Sequence, residues 1–187
     1  MVKKNACVFI SGNGSNLKSL INHSREYNFP INIKLIICNK PHAKGILYAK
    51  KYSIPYIIVD TKKNNSENNI LRKIKIYKIS LICLAGYMKV LSKKFIKNFG
   101  KKIINIHPSL LPKFKGLNTF KRVIKKKEIK TGCTIHYVNE KLDSGNKILQ
   151  KYFFIETNDN EKTLKHKTQK IEHKAFPEAI INIFRNT

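Results

Sequence analysis

Short apolar runs separated by longer mixed stretches set the rhythm of the first hundred residues. Residues 6–11, 31–38, 57–60, 81–85 and 103–107 are rich in Ile, Val, Leu, Phe and Cys. Segments 16–26, 45–52, 66–77 and 92–99 between them carry helical spacing of apolar positions. Runs that stay apolar, instead of alternating with polar residues, predict strands covered on both faces, hence a parallel sheet. Their alternation with helices predicts repeated strand–helix units.

Past Pro112 the pattern changes. A lysine-rich helix over 119–127 precedes apolar runs at 131–138 and 148–155, which can pair as strands across the turn Leu142-Asp143-Ser144-Gly145. A long amphipathic helix is expected over 161–184, kinked or divided by Pro177. The Lys/Asn-rich segment 62–69 is the expected mobile loop. The fold class is therefore α/β: a Rossmann-like, open, mostly parallel sheet with helices on both faces and a C-terminal strand pair plus long helix. The 187 residues, without internal repeat or linker, fit one domain.

Composition narrows the function classes. Hydrophobic residues make up 42% of the chain, which excludes a disordered polymer despite the heavy charge. No apolar run approaches the roughly 20 residues of a membrane span, so the expected setting is cytoplasmic. The cysteines Cys7, Cys38, Cys83 and Cys133 lie far apart inside apolar runs, a pattern of buried free thiols and neither a disulfide framework nor paired metal ligands. The formal net charge of +27 points toward nucleic acid. Against that, only Arg25, Arg72, Arg122 and Arg185 are arginine, and the lysines are spread along the chain together with abundant Asn and Ile. Base readers favour arginine; a general drift toward Lys, Asn and Ile explains the charge without a nucleic-acid surface. What remains is a positive field that attracts small anions.

Two polar clusters fall where strands are expected to end, the region in which open parallel sheets bind ligands. The first is Ser11-Gly12-Asn13-Gly14-Ser15-Asn16. Its glycines permit a sharp turn close to a ligand, and the N–H groups opening the next helix suit a phosphate. It reads equally as a tight turn with Ser or Asn as N-cap. A dinucleotide fingerprint needs glycine where Leu17 stands, and no Gly-Lys-Ser/Thr follows, so a phosphate ligand here would be a monoester.

The second cluster is Asn105-Ile106-His107-Pro108-Ser109-Leu110-Leu111-Pro112. Alternate strand residues share a face, so Asn105 and His107 can act on one carbonyl, with the prolines stiffening the chain beyond. Asp143 is one of three aspartates, and a turn former is its simplest role. His136, in an expected strand, reads as a packed or hydrogen-bonded histidine; His166 and His173 read as solvent-facing.

These two motifs, with Leu-Ala-Gly-Tyr-Met-Lys-Val-Leu at 84–91, Lys-Gly-Leu-Asn-Thr at 115–119 and Leu-Asp-Ser-Gly at 142–145, resemble the formyltransferase superfamily in its glycinamide-ribonucleotide branch. The resemblance runs in order over nearly the whole chain. It implies transfer of a formyl group from 10-formyltetrahydrofolate to the amine of phosphoribosylglycinamide in purine synthesis, with no metal. It implies a single domain with a phosphate-binding half over 1–100 and a catalytic, folate-binding half over 101–187. By position it implies that His107, Asn105 and Asp143 are catalytic, with Asp143 raising the pKa of His107. Gly14, Ser15, Asn16 and Glu172 would bind the ribonucleotide. Met88, Lys89, Val90, Leu91, Asn105, Asn139, Glu140, Lys141, Leu142 and Asp143 would bind folate. Without the resemblance, Glu172 reads as a solvated helix position and Met88–Leu91 as core packing. The partners implied are small molecules, with neither nucleic acid nor membrane, and a monomer or weak homodimer.

The chain departs from the family at Ser144 and Asn146, where a glycine and a proline are usual, at Asn118, where histidine is frequent, and in 62–69, where no arginine stands. A lysine there can replace it as a weaker point charge. Relatives that formylate initiator methionyl-tRNA carry a second C-terminal domain, and formyl-folate hydrolases an N-terminal regulatory one; neither is expected here. An RNA-binding module predicts salt-dependent RNA affinity and leaves the Asn105/His107 pairing without a role.

Overall fold

The parallel strands expected from the continuous apolar runs are present in a computed structural model that describes residues 2–185. In chain order the elements are β1 Lys4–Ile10, α1 Ser15–Ser24, β2 Ile31–Cys38, α2 Ile46–Lys51, β3 Tyr56–Ile58, α3 Ser66–Ile76, β4 Leu81–Leu84, α4 Lys93–Phe99, β5 Lys102–His107, α5 Thr119–Lys125, β6 Lys130–Tyr137, β7 Lys147–Phe154 and α6 Glu161–Phe184. The chain divides into two units, Met1–Ile104 and Asn105–Thr187, and β5 straddles the division.

In the first unit the strand order is β3-β2-β1-β4, and every pairing among them is parallel. β1 is buried from Ala6 through Ile10, and Leu81–Leu84 of β4 are buried throughout, as a strand covered on both faces must be. The registers Ile10↔Cys38 and Phe9↔Leu84 bring the carboxyl ends of β1, β2 and β4 together. The turns that follow these three strands therefore emerge side by side. Phe9 anchors the packing beneath them, edge-on to Tyr87 at 5.2 Å and to Phe95 at 6.2 Å. Contacts of this geometry contribute about 0.5–1.5 kcal/mol beyond burial.

Of the segment 62–69, residues 62–65 form turns and the rest is helical. Ser66 already opens α3, and Glu67 in its first turn reaches the head of α4, where it accepts from the Ser92 backbone N–H at 2.9 Å and from the Ser92 hydroxyl. An acidic side chain capping a helix start is favoured by the unsatisfied N–H groups there.

In the second unit β6 and β7 pair antiparallel from Lys130↔Phe154 to His136↔Lys147, as the apolar runs on either side of the Asp143 turn predicted. α6 packs on both strands. It opens with a capping box: Asn160 Oδ1 accepts from the N–H groups of Lys162 and Thr163, and Thr163 Oγ1 accepts from the Asn160 N–H. Its buried stripe is Leu164, Thr168, Glu172, Ala175, Phe176, Ala179, Ile180 and Ile183. Of the two outcomes expected at Pro177, division does not occur: α6 runs unbroken through it. An interior proline costs about 3 kcal/mol. Burying Phe176 and Ile180 beside it recovers about 1.5–3 kcal/mol each.

All four cysteines are free and buried, and burial raises each thiol above its ordinary range. Among the described residues, no helix is long and apolar enough to cross a membrane.

Candidate active site

Gly14 opens the polar cluster of the first unit, as the residue preceding α1, with φ 74°. A Cβ there would stand 2.6 Å from the Cα of Gly45, and one on Gly45 would stand 2.7 Å from Ile10 Cδ1. The two backbones touch, with Gly45 N–H donating to Gly12 O at 3.0 Å, so Gly14, with its positive φ and a backbone neighbour, requires glycine. No side chain caps α1, and no acidic residue sits in its first turn. Ser15 and Asn16 lie inside the helix, so the simple N-cap reading of this turn does not hold. Lys18 N–H is already bonded to Gly14 O, while the first-turn N–H groups before it have no intrahelical acceptor.

Of the residues assigned to folate in this unit, only Leu91 packs into the core, at 7% exposure. Met88 is 58% and Val90 72% exposed, and Lys89 is exposed as well. The core-packing reading of this segment therefore fails for its first three residues. Large apolar side chains held in water are available to a ligand.

In the second unit the end of β5 places Asn105 and His107 where the strand alternation predicted, with Ile106 turned into the core. His107 and Asp143 meet: Nδ1 lies 3.2 Å from Asp143 Oδ2, with both side chains 7% exposed. His136 joins them. Its Nε2 is 3.2 Å from Asn105 Nδ2 and 3.7 Å from Asp143 Oδ1, and its Nδ1 is 2.8 Å from Tyr137 O. With Nδ1–H donating to the Tyr137 carbonyl, Nε2 of the neutral His136 ring accepts from the Asn105 amide, and Nε2–H of the protonated ring faces Asp143. Asp143 thus sits between two imidazoles, and Asn105 is fixed by one of them.

Asp143 adopts φ 46°, a left-handed conformation that Asp tolerates better than most residues. It also accepts the Gly116 N–H at 2.8 Å. Burial pushes its carboxyl up, but the His136 ring, the Gly116 N–H and the charge of His107 together hold it below the usual range. The following Gly145 passes so close to Tyr137 that a Cβ would fall 1.7 Å from its carbonyl oxygen. The loop between is held by Asn139, whose Oδ1 accepts the Lys141 N–H and stands 3.0 Å from the Ser144 hydroxyl. Ser144, one of the departures from the family pattern, is therefore part of the loop's own bonding.

Burial lowers the pKa of His107, outweighing the upward pull of the Phe114 carbonyl and of Asp143; His136 and Arg122 lower it further. The expectation of a net rise is thus corrected: the carboxylate acts in the expected direction, but desolvation of the ring is larger. Both ring nitrogens nevertheless face acceptors, Asp143 at Nδ1 and Phe114 O at Nε2, 2.9 Å away. A neutral imidazole can donate to only one of them.

The Phe114 carbonyl is itself positioned by Arg122, whose guanidinium donates to Phe114 O at 2.8 Å and to Lys115 O at 2.6 Å. Phe114, Gly116 and Asn118 all have positive φ, so this stretch folds tightly over the histidine. The chain before it is pinned by Thr134, which donates to Ser109 O and accepts from the Leu111 N–H and from Gln150. That network reinforces the stiffness expected from Pro108 and Pro112.

Glu172 is buried at 7% exposure on α6, not solvated as the helix pattern alone predicted, and its charge raises the Cys133 thiol. His166 is exposed as expected; His173 is half-buried. No sequence signal pointed to the roles of Phe114, Gly116, Arg122 or Gly45, which arise from contacts with backbone groups. The signal available for His136 was its place two residues after Thr134 on one face of a strand.

An imidazole against a buried carboxylate, with an amide donor alongside, can stabilise a developing alkoxide and move a proton, the chemistry of acyl transfer. Comparison with known proteins agrees with that class. The formyl transferase model matches residues 4–180. The chain belongs to the formyl transferase family, whose members are enzymes. It is similar to phosphoribosylglycinamide formyltransferase of Bacillus subtilis, 36% identical over 181 residues that make up 95% of this chain and 93% of that protein. The crystal structure of phosphoribosylglycinamide formyltransferase from Bacillus halodurans superposes with a TM-score of 0.92 at 34% identity, covering 96% of this chain and 95% of that one. The trifunctional purine biosynthetic protein adenosine-3 of Gallus gallus is 38% identical over 182 residues, and the chain spans only 18% of its length.

Proposed function

We propose that this chain transfers the formyl group of 10-formyltetrahydrofolate to the amine of N1-(5-phospho-D-ribosyl)glycinamide, a step of de novo purine (IMP) biosynthesis. The observation that carries the reading is the cluster of half-buried Asn105 with buried His136, Asp143 and His107 around the end of β5, in a chain similar over 95% of its length to an enzyme named for this reaction.

The roles are those that the resemblance to the family implies. First-turn N–H groups of α1, with Gly14, Ser15 and Asn16, hold the phosphate of the acceptor. Glu172 contacts the same substrate. Met88, Lys89, Val90 and Leu91, with the loop Asn139, Glu140, Lys141, Leu142 and Asp143, hold the folate. As the amine attacks the formyl carbon, Asn105 donates a hydrogen bond to the oxygen that gains charge. His107, protonated, shares that charge through Nε2 once the Phe114 carbonyl releases it. The proton lost by the attacking amine and the one gained by the departing folate nitrogen pass by way of His107, while Asp143 stabilises the imidazolium. Neither a metal nor a covalent enzyme intermediate takes part. The substrates are small molecules; nucleic acid and membrane have no part, and the working setting is the cytoplasm, as a monomer or weak homodimer.

The test is to mix purified protein with phosphoribosylglycinamide and 10-formyltetrahydrofolate and follow the folate absorbance, with charged initiator tRNA as acceptor in a parallel reaction. Turnover is expected with the ribonucleotide alone. His107→Ala is expected to fold normally and lose about 100- to 1000-fold in kcat. Near wild-type turnover in that variant, or formylation of the tRNA in place of the ribonucleotide, refutes the assignment.

A further inference from the structure

We infer that Ser11 is a positioning residue for the folate substrate: its hydroxyl suspends the segment 88–90 from the end of β1. This rests on the proposed folate role of Met88–Leu91.

Ser11 follows β1 directly and is 4% exposed. Its hydroxyl accepts the Met88 backbone N–H at 2.8 Å and donates to Asn39 Oδ1 at 2.5 Å. One hydroxyl proton and one lone pair are thus used in a fixed sense, and Asn39, just past β2, decides which way the lone pair points. The segment needs such a support. After Ala85 N–H donates to Phe9 O, the chain leaves the sheet, turns through Gly86 at φ 74°, and lays the Tyr87 ring edge-on against Phe9. Beyond Leu91 the chain is caught again by Glu67 on the Ser92 N–H. Between these two anchors lie the exposed Met88, Lys89 and Val90. Parallel pairing of β1 with both β2 and β4 delivers Ser11, Asn39 and Met88 to the same end, although they are 28 and 77 residues apart from Ser11 in the chain.

A serine in this motif is otherwise assigned to the phosphate turn that it begins. The geometry separates the two roles, because the hydroxyl is already engaged with Asn39 and Met88. Its removal should therefore weaken folate and leave the phosphate-bearing acceptor alone.

The experiment measures Kd by calorimetry for 10-formyltetrahydrofolate and for phosphoribosylglycinamide separately, with kcat and KM for each. Ser11→Ala is expected to raise the folate Kd and KM about tenfold, the scale of one lost hydrogen bond. The ribonucleotide Kd should stay within about twofold, and Ser11→Thr, which restores the hydroxyl, should recover folate binding. Ser11→Cys keeps the volume with a weaker acceptor and replaces the alanine variant if that one does not fold. An unchanged folate Kd, or an equal loss for both ligands together with a fall in Tm, overturns the inference. Wild-type protein that binds the ribonucleotide but no folate removes the functional reading and this inference with it. Wild-type protein that transfers formyl normally, beside a Ser11→Ala variant indistinguishable from it, removes this inference alone.

Discussion

Asp143→Asn isolates the electrostatic part of the candidate site, because it keeps the side-chain volume and an oxygen for the Gly116 N–H while deleting one charge. The lost charge stands 3.2 Å from His107 Nδ1. At an effective dielectric of about 20, two unit charges at that distance interact by about 5 kcal/mol, an upper bound given water and competing hydrogen bonds. Measured neighbours of this kind move a pKa by about 1–3 units, equivalent to about 1.4–4 kcal/mol. Without the carboxylate nothing but the Phe114 carbonyl opposes burial, so the His107 pKa, already below its usual 6.5, falls further. At pH 7.5 a histidine with a pKa of 6.5 is about one-tenth protonated. A drop of one to three units reduces the reactive form, and hence kcat, about 10- to 1000-fold. The assay is the folate absorbance change from pH 5.5 to 8.5. Activity that depends on protonated His107 falls as pH rises through its pKa, and in Asp143→Asn that fall should begin at lower pH, with the deficit shrinking toward pH 5.5. Activity within twofold of wild type at pH 7.5, with an unmoved pH profile, refutes a catalytic charge at Asp143. Acid should also destabilise the fold itself. His107 and Asp143 both have folded pKa values below their unfolded ones, so their stabilisation is complete above pH 6.5 and 3.8 respectively and is lost as pH falls through the folded values. Thermal melts should record a lower Tm at pH 5 than at pH 7.

Arg122→Ala should shift the same pH limb in the opposite direction, because the guanidinium lowers the His107 pKa. It also frees the Phe114 and Lys115 carbonyls, so NMR titration of the His107 ring should show a higher pKa beside a lower Tm. Gly14→Ala forces a side chain into a left-handed conformation, at about 1–2 kcal/mol, and a Cβ to within 2.6 Å of Gly45. It should raise KM for the ribonucleotide more than KM for folate, and an unchanged ribonucleotide KM in a folded variant argues against a phosphate at this turn.

The sequence by itself determined the parallel half of the fold. Continuous apolar runs such as Ile31–Cys38 have no polar face to show to water, so they specify strands covered on both sides, and this strand falls where the pattern placed it. It determined the shared face of Asn105 and His107 through strand alternation, and the hairpin at Asp143 through the turn chemistry of Asp and Gly. The same reasoning failed where a local rule met a tertiary load. The helix-breaking preference of Pro177 yielded to the buried stripe of α6, and Glu172 lies inside because that stripe includes it. Only the tertiary structure brought Asp143 to His107, 36 residues away in sequence, and placed His136 against both Asp143 and Asn105. It alone decided the sign of the His107 shift, since a sequence names the charged neighbour but not the water excluded around the ring. Periodicity is a property of one segment and survives in the string of residues. Convergence of side chains from different strands, and the desolvation that comes with it, depends on distances that the string does not contain.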